Sequence, residues 1–205
     1  MKRNIQFCVM SLLMMAGCAV ESDRFVTFTE ADDPVAVSER SMAAWDEVGR
    51  LEAVWASADS LYSRSEVPVV DPVAVNRLSG WKGERVSAQF LLYSGSGVEG
   101  IRCEVRDFKS PSAVLPSDIA QARFVRYTLA DKGGKDCRCN RGPVNETILV
   151  PDMIDSLKVF NMEERTVRPV WVTVRIPQDA QPGVYKTEVV VKAKGAGKIS
   201  MPLEL

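Results

Sequence analysis

The sequence contains no histidine. That removes the commonest general base and the commonest metal ligand together, so any chemistry must rest on carboxylates, Tyr, Lys or Cys. Asp46-Glu47 is an adjacent acidic pair, but it stands in residues 38–50, where Met42, Trp45 and Val48 have helical spacing and Gly49 interrupts the run. The stretch Ala130–Glu146 is the longest that reads as irregular, and it holds Asp131, Asp136, Cys137, Cys139, Asn140 and Glu146. Zinc would need two further strong ligands beside the Cys-x-Cys pair. A disulfide between Cys137 and Cys139 would close a small, strained ring. Free or reducible thiols are therefore the first reading, a local disulfide the second and a metal a distant third. Asp131, Asp136 and Asn140 lack the close alternating spacing of a calcium loop. The expectation is no metal, no cofactor and no catalytic residue. Asp131, Asp136 and Asn140 stand as candidates for contact with a glycan or another domain, because binding residues gather on long loops over a rigid scaffold.

Two tryptophans join them. Trp81 opens Trp81-Lys82-Gly83-Glu84-Arg85 at the start of a strand pattern. It could stack on a sugar ring or cover an open end of the fold; the second reading is preferred, with Gly83 allowing a tight backbone. Trp171 alternates out of the face that carries Val170 and Val172. It could bind glycan or pack against a further domain, and the second again explains better an amphipathic ring on an outer face. Trp55 has the same two alternatives, glycan or a further domain, beside a core position, and the core is preferred. Arg85 and Arg126 are expected to pair with carboxylates, between strands or across to a neighbouring domain.

These residues need strands to position them. Val86, Ala88, Phe90 and Leu92 alternate with Arg85, Ser87 and Gln89. Ile101, Cys103 and Val105 repeat the pattern and make Cys103 a buried thiol; Val170 to Ile176, Tyr185 to Val191 and Ile199 to Leu205 continue it. Period-two alternation buries one face of each strand, as in packed antiparallel sheets. Ser94-Gly95-Ser96-Gly97, Gly133-Gly134, Pro182-Gly183 and Gly195-Ala196-Gly197 punctuate the strands. The expected fold is all-β, an antiparallel sandwich of immunoglobulin or jelly-roll type with about seven to nine strands. A hydrophobic content of 46% in 205 residues can fill such a core, and a net charge of −1 gives no basic face for nucleic acid.

The N-terminus carries an address. Lys2 and Arg3 precede an apolar run from Ile5 to Ala16, too short to span a bilayer, which ends in Met15-Ala16-Gly17-Cys18. The last phrase resembles the lipobox of bacterial lipoproteins, whose cysteine is lipidated. Residues 1–17 are read as a lipoprotein signal peptide, Cys18 as the lipidation site and the acidic residues 18–37 as a flexible tether. Residues 38–205 form the sandwich. The expected location is the cell envelope, lipid-anchored on the outer-membrane or periplasmic side. Leu205 falls inside an alternating strand, so the chain reads as the front part of something longer.

Five phrases in order resemble one family. They are Leu51–Asp59 leading to Tyr62 and Ser65-Glu66-Val67-Pro68; Trp81–Gln89; Phe124-Val125-Arg126-Tyr127; Ile148–Asp155; and Arg168–Val174 with Pro177–Tyr185. Together they resemble the N-terminal β-sandwich domain of glycoside hydrolase family 123 in Bacteroides-type bacteria. The resemblance implies a β-N-acetylgalactosaminidase whose active site lies in a separate (β/α) barrel, where an Asp-Glu pair assists attack by the substrate's own acetamido group. No such pair can be carried over here, since Asp46-Glu47 lies upstream of the sandwich. The implied role is a non-catalytic accessory sandwich that orients a catalytic barrel absent from this chain. The alternative is a stand-alone carbohydrate-binding module using Trp171 or the Ala130–Glu146 loop.

Overall fold

The computed structural model describes residues 30–34, 39–131 and 147–205. A short helix, α1 (Glu39–Trp45), comes first, with Glu39 in its first turn, where a carboxylate suits the helix dipole. The strands are β1 (Glu52–Ala56), β2 (Asn76–Arg77), β3 (Arg85–Ser94), β4 (Val98–Val105), β5 (Phe108–Lys109), β6 (Val114–Leu115), β7 (Ala120–Asp131), β8 (Thr147–Ile154), β9 (Phe160–Met162), β10 (Thr166–Arg175), β11 (Lys186–Ala193) and β12 (Gly197–Glu204). One sheet runs β1-β3-β10-β7-β8; the other runs β2-β12-β11-β4-β9, with β5 and β6 attached beside β11. All pairings are antiparallel except β12 with β2.

The all-β sandwich is as expected, and the strand count is higher. The additional strands are β2, β5, β6 and β9, each two or three residues long. A period of two cannot show itself in so few residues. The long strands alternate as read: Ala88, Phe90, Leu92, Val170, Val172 and Val174 turn inward to meet Ile101, Val189, Val191, Met201 and Leu203 of the facing sheet. Trp55 is buried there, edge-on to Phe90 at 5.5 Å, and its indole N–H donates to the Pro202 carbonyl at 3.0 Å. That bond ties β1 of one sheet to β12 of the other.

The first sheet is not bare on its outer side. Leu91 and Val167 point outward, yet both are fully buried, because Trp45 of α1 packs on them. The Trp45 indole N–H donates to Ser65 O at 2.9 Å, pinning the irregular segment 57–75 across the same face. This is the longest irregular stretch among the described residues. Ala130 and Asp131, read as loop, lie instead at the end of β7, where they pair with Ile148 and Thr147.

Strands β7 and β10 part company. They pair from Ala120 to Phe124; from Val125 onward β7 pairs only with β8. Pro169 lies in the part of β10 that β7 has left, the kind of edge where a missing N–H is tolerated. Arg168 fills the fork. Its Nη1 donates to the Val125 carbonyl at 2.8 Å, and its two Nη atoms hold Glu30 at 2.5 and 2.6 Å. The guanidinium lies over the Phe160 ring at 4.4 Å and the Tyr127 ring at 5.1 Å. Glu30 also accepts the Tyr127 N–H at 2.9 Å. Residues 30–34 come from the stretch read as a tether, and here they lie against the sandwich.

Candidate functional site

Two surface features stand out, one apolar and one cationic. The apolar one begins at Trp81. Glu84 Oε2 accepts the Trp81 N–H at 2.7 Å, and the Glu84 N–H returns to the Trp81 carbonyl at 3.0 Å, closing a tight turn. Gly83 sits in that turn at φ 80°, and a Cβ there would meet the Gln178 amide at 2.1 Å. Only glycine fits. The turn thrusts Trp81 outward with 85% of its surface exposed. The expectation that Trp81 seals an open end of the sandwich is therefore corrected: the Gly83 turn directs the ring away from the core.

Trp81 forms one wall of a groove of about 750 Å³. Leu78, Ile176, Val184, Tyr185 and Leu205 line much of the rest. Tyr185 and Leu205 exchange backbone hydrogen bonds at 2.8 Å in both directions, and the Tyr185 hydroxyl donates to Gln181 O at 2.8 Å. The floor is thus rigid, while Val184 stays 55% exposed. Glu204, the carboxylate of the groove, is engaged by Arg77 at 3.3 Å. Largely apolar walls whose one side-chain carboxylate is already paired suit packing against another surface better than acid–base work.

The cationic feature lies on the outer face of the first sheet, beyond the part that α1 covers. Arg85 stands directly across from Arg175, and Arg123 directly across from Trp171. The three arginines, with Gln121, Thr173 and Asp118, line a recess of about 300 Å³. Arg126 finds a carboxylate as expected: its Nε bonds Asp155, which is almost fully buried. Burial would raise the Asp155 carboxyl, but the Arg126 contact and the N–H groups of Leu157 and Ser156 outweigh it and hold the group below its ordinary range. Arg85 differs. It makes no ion pair among the described residues and faces another arginine, which corrects the expectation of a carboxylate partner between strands and leaves the alternative of one on a neighbouring domain.

Trp171 is outward and half-buried, between Gln89 and Arg123. No described cavity is lined by both Trp81 and Trp171. Asp131 is exposed at the end of β7. Asp136, Asn140, Cys137, Cys139 and Cys18 lie outside the described residues. Asp46 of the Asp46-Glu47 pair is bound to Arg165 at 3.1 Å in the turn after α1. Cys103 packs against the core; burial, with Glu104 beside it, pushes its thiol up to about 12. Among the described residues no group of three or more acids or cysteines could hold a metal.

The family model for the glycoside hydrolase 123 N-terminal domain matches residues 55–193. The chain belongs to that family. A solved relative of this N-terminal domain is a family 123 glycoside hydrolase from Clostridium perfringens, described for glycolipid glycan hydrolysis. It shares 19% identity and a TM-score of 0.65 over 75% of this chain and 26% of its own. The chain thus spans about a quarter of that enzyme's length. A PapD-like domain of human CEP192 aligns over 87% of this chain and 93% of its own, at 9% identity and a TM-score of 0.33, too loose a likeness to add to the sandwich already described. No curated protein matches the sequence. The residues that sequence reading did not single out are Arg123, Arg175, Arg168 and Glu30. Arg123 and Arg175 are visible only as polar members of alternating strands, and nothing local marks their convergence.

Proposed function

We propose that this glycoside hydrolase 123 N-terminal domain is a non-catalytic sandwich that packs on and orients the catalytic barrel of a β-N-acetylgalactosaminidase-like enzyme, held at the cell envelope by a lipid on Cys18. One observation carries the reading: the groove beside Trp81. A ring 85% exposed beside a half-exposed valine, over an apolar floor of about 750 Å³, is costly in water and useful only when covered. A second domain of the same enzyme is the occupant that the family membership supports.

The test is a pair of assays. The chain without a barrel should leave a chromogenic N-acetylgalactosaminide intact. Joined to its catalytic domain, the Trp81→Ser form should lower the unfolding temperature of that domain relative to the parent. Hydrolysis by the chain alone, or a catalytic domain indifferent to Trp81→Ser, overturns the reading.

A further inference from the structure

The outer face of the first sheet is divided. One half is closed by α1 and the segment after β1, through Trp45, Leu91 and Val167. The other half is open and carries Arg85, Arg123 and Arg175. Strand register makes this arrangement unfavourable by default. Arg85 and Arg175 are directly opposed neighbours on adjacent strands, and like charges so placed destabilise a sheet. Elsewhere the domain pairs many of its surface cations: Lys192 with Glu104, Lys194 with Glu99, Lys198 with Glu188 and Arg165 with Asp46.

Here it does not. Arg85 and Arg175 make no ion pair among the described residues, and Arg123 reaches only the neutral Gln121 Oε1, at 3.1 Å. Two acids border the recess. Asp155 is already neutralised by Arg126. Asp118 is left as the single countercharge to three guanidiniums. The recess therefore presents net positive charge, and it does so as planar forks whose geometry matches a carboxylate or a sulfate ester. Thr173 and Gln121 add uncharged hydrogen-bonding groups within it.

Its size and its neighbour narrow the ligand. About 300 Å³ lies at the small end of ligand pockets, room for a sugar unit and not for a protein segment. Trp171 does not line the recess itself but stands beside it, half-buried on the same sheet face and directly across from Arg123, where an aromatic ring can meet the C–H face of a sugar that extends out of the recess. We infer that this recess binds an anionic saccharide, one bearing a carboxylate or a sulfate ester, with Arg85, Arg123 and Arg175 holding the anion and Trp171 flanking the ring. The site is independent of whatever covers the Trp81 groove, so it stands or falls separately from the accessory role.

The experiment is calorimetric titration of the 205-residue chain. The probes are a glucuronate-containing disaccharide, a sulfated N-acetylgalactosamine, neutral N-acetylgalactosamine and inorganic sulfate. At least one anionic sugar binds, at least tenfold more tightly than the neutral one, and its affinity falls as salt rises. Arg175→Gln and Arg85→Gln each weaken it tenfold or more, while the unfolding temperature holds or rises because the opposed charges are relieved. Trp171→Ala weakens the sugar but leaves inorganic sulfate unchanged. Equal binding of neutral and anionic sugars, binding that survives both arginine substitutions, or no binding to any sugar overturns the proposal.

Discussion

Glu30 and Arg168 lie 138 residues apart in sequence and form a bidentate pair in which both side chains are about 5% exposed or less. Burial alone would raise the Glu30 carboxyl. The Arg168 hydrogen bonds and charge, the Tyr127 N–H and Arg64 outweigh burial and hold it below its ordinary value of 4.5. A carboxyl depressed by folding stabilises the fold above its unfolded value and loses that contribution as pH falls through the folded one. Thermal stability should therefore decline as pH is lowered below 4.5, with Asp155, also depressed, adding to the decline. Glu30→Gln strands a buried guanidinium and should cost about 3–5 kcal/mol at neutral pH. It should also flatten the acid limb of a plot of unfolding temperature against pH; a limb as steep as the parent's would contradict the assignment. Cys103 gives a second prediction. A thiol raised to about 12 holds little thiolate at pH 8, so Cys103, followed by mass spectrometry of its own peptide, should react with a thiol reagent much more slowly in the folded chain than after denaturation. Its side of the strand was legible from its alternation with Ile101 and Val105, although the thiol is half-buried against the core and not fully enclosed as expected. The role of Glu30 was not, because an isolated acid in a polar stretch looks the same whether solvated or docked.

Strands and helix tell a parallel story. The long strands β3, β10, β11 and β12 announced themselves through alternation, since each has one face against the core. Leu91 and Val167 broke that rule by being buried on the opposite face, and only the docking of Trp45 explains them. Gly95 shows how tight the junction is: a Cβ there would sit 2.6 Å from the Val48 carbonyl, and its N–H donates to Gly49 O at 3.0 Å. Trp45→Ala should cost about 3–5 kcal/mol, as for other large-to-small core changes. It should also expose residues 39–50 to protease in the folded chain, which limited digestion and mass spectrometry would read. Resistance equal to the parent's would mean that α1 is held by something other than Trp45.

At the level of the assembled domain, the two exposed features follow different logic. Trp81 contributes little to the sandwich it stands on, so Trp81→Ser in the chain alone should change stability by no more than about 0.5 kcal/mol by denaturant unfolding. A larger loss would place the ring in the core's service and undo the groove's role as a contact face. Sequence pattern was sufficient for the family, the sandwich and the central positions of its core, because these follow from period-two burial and from phrases contiguous along the chain. It was insufficient for the Arg85–Arg123–Arg175 recess, the Arg168–Glu30 fork and the outward throw of Trp81. Those depend on strand order, on register between distant segments and on a glycine turn braced by Gln178. Alternation records which side of a strand faces inward, but it carries no information about which strand lies alongside, and charge convergence is set by the neighbour.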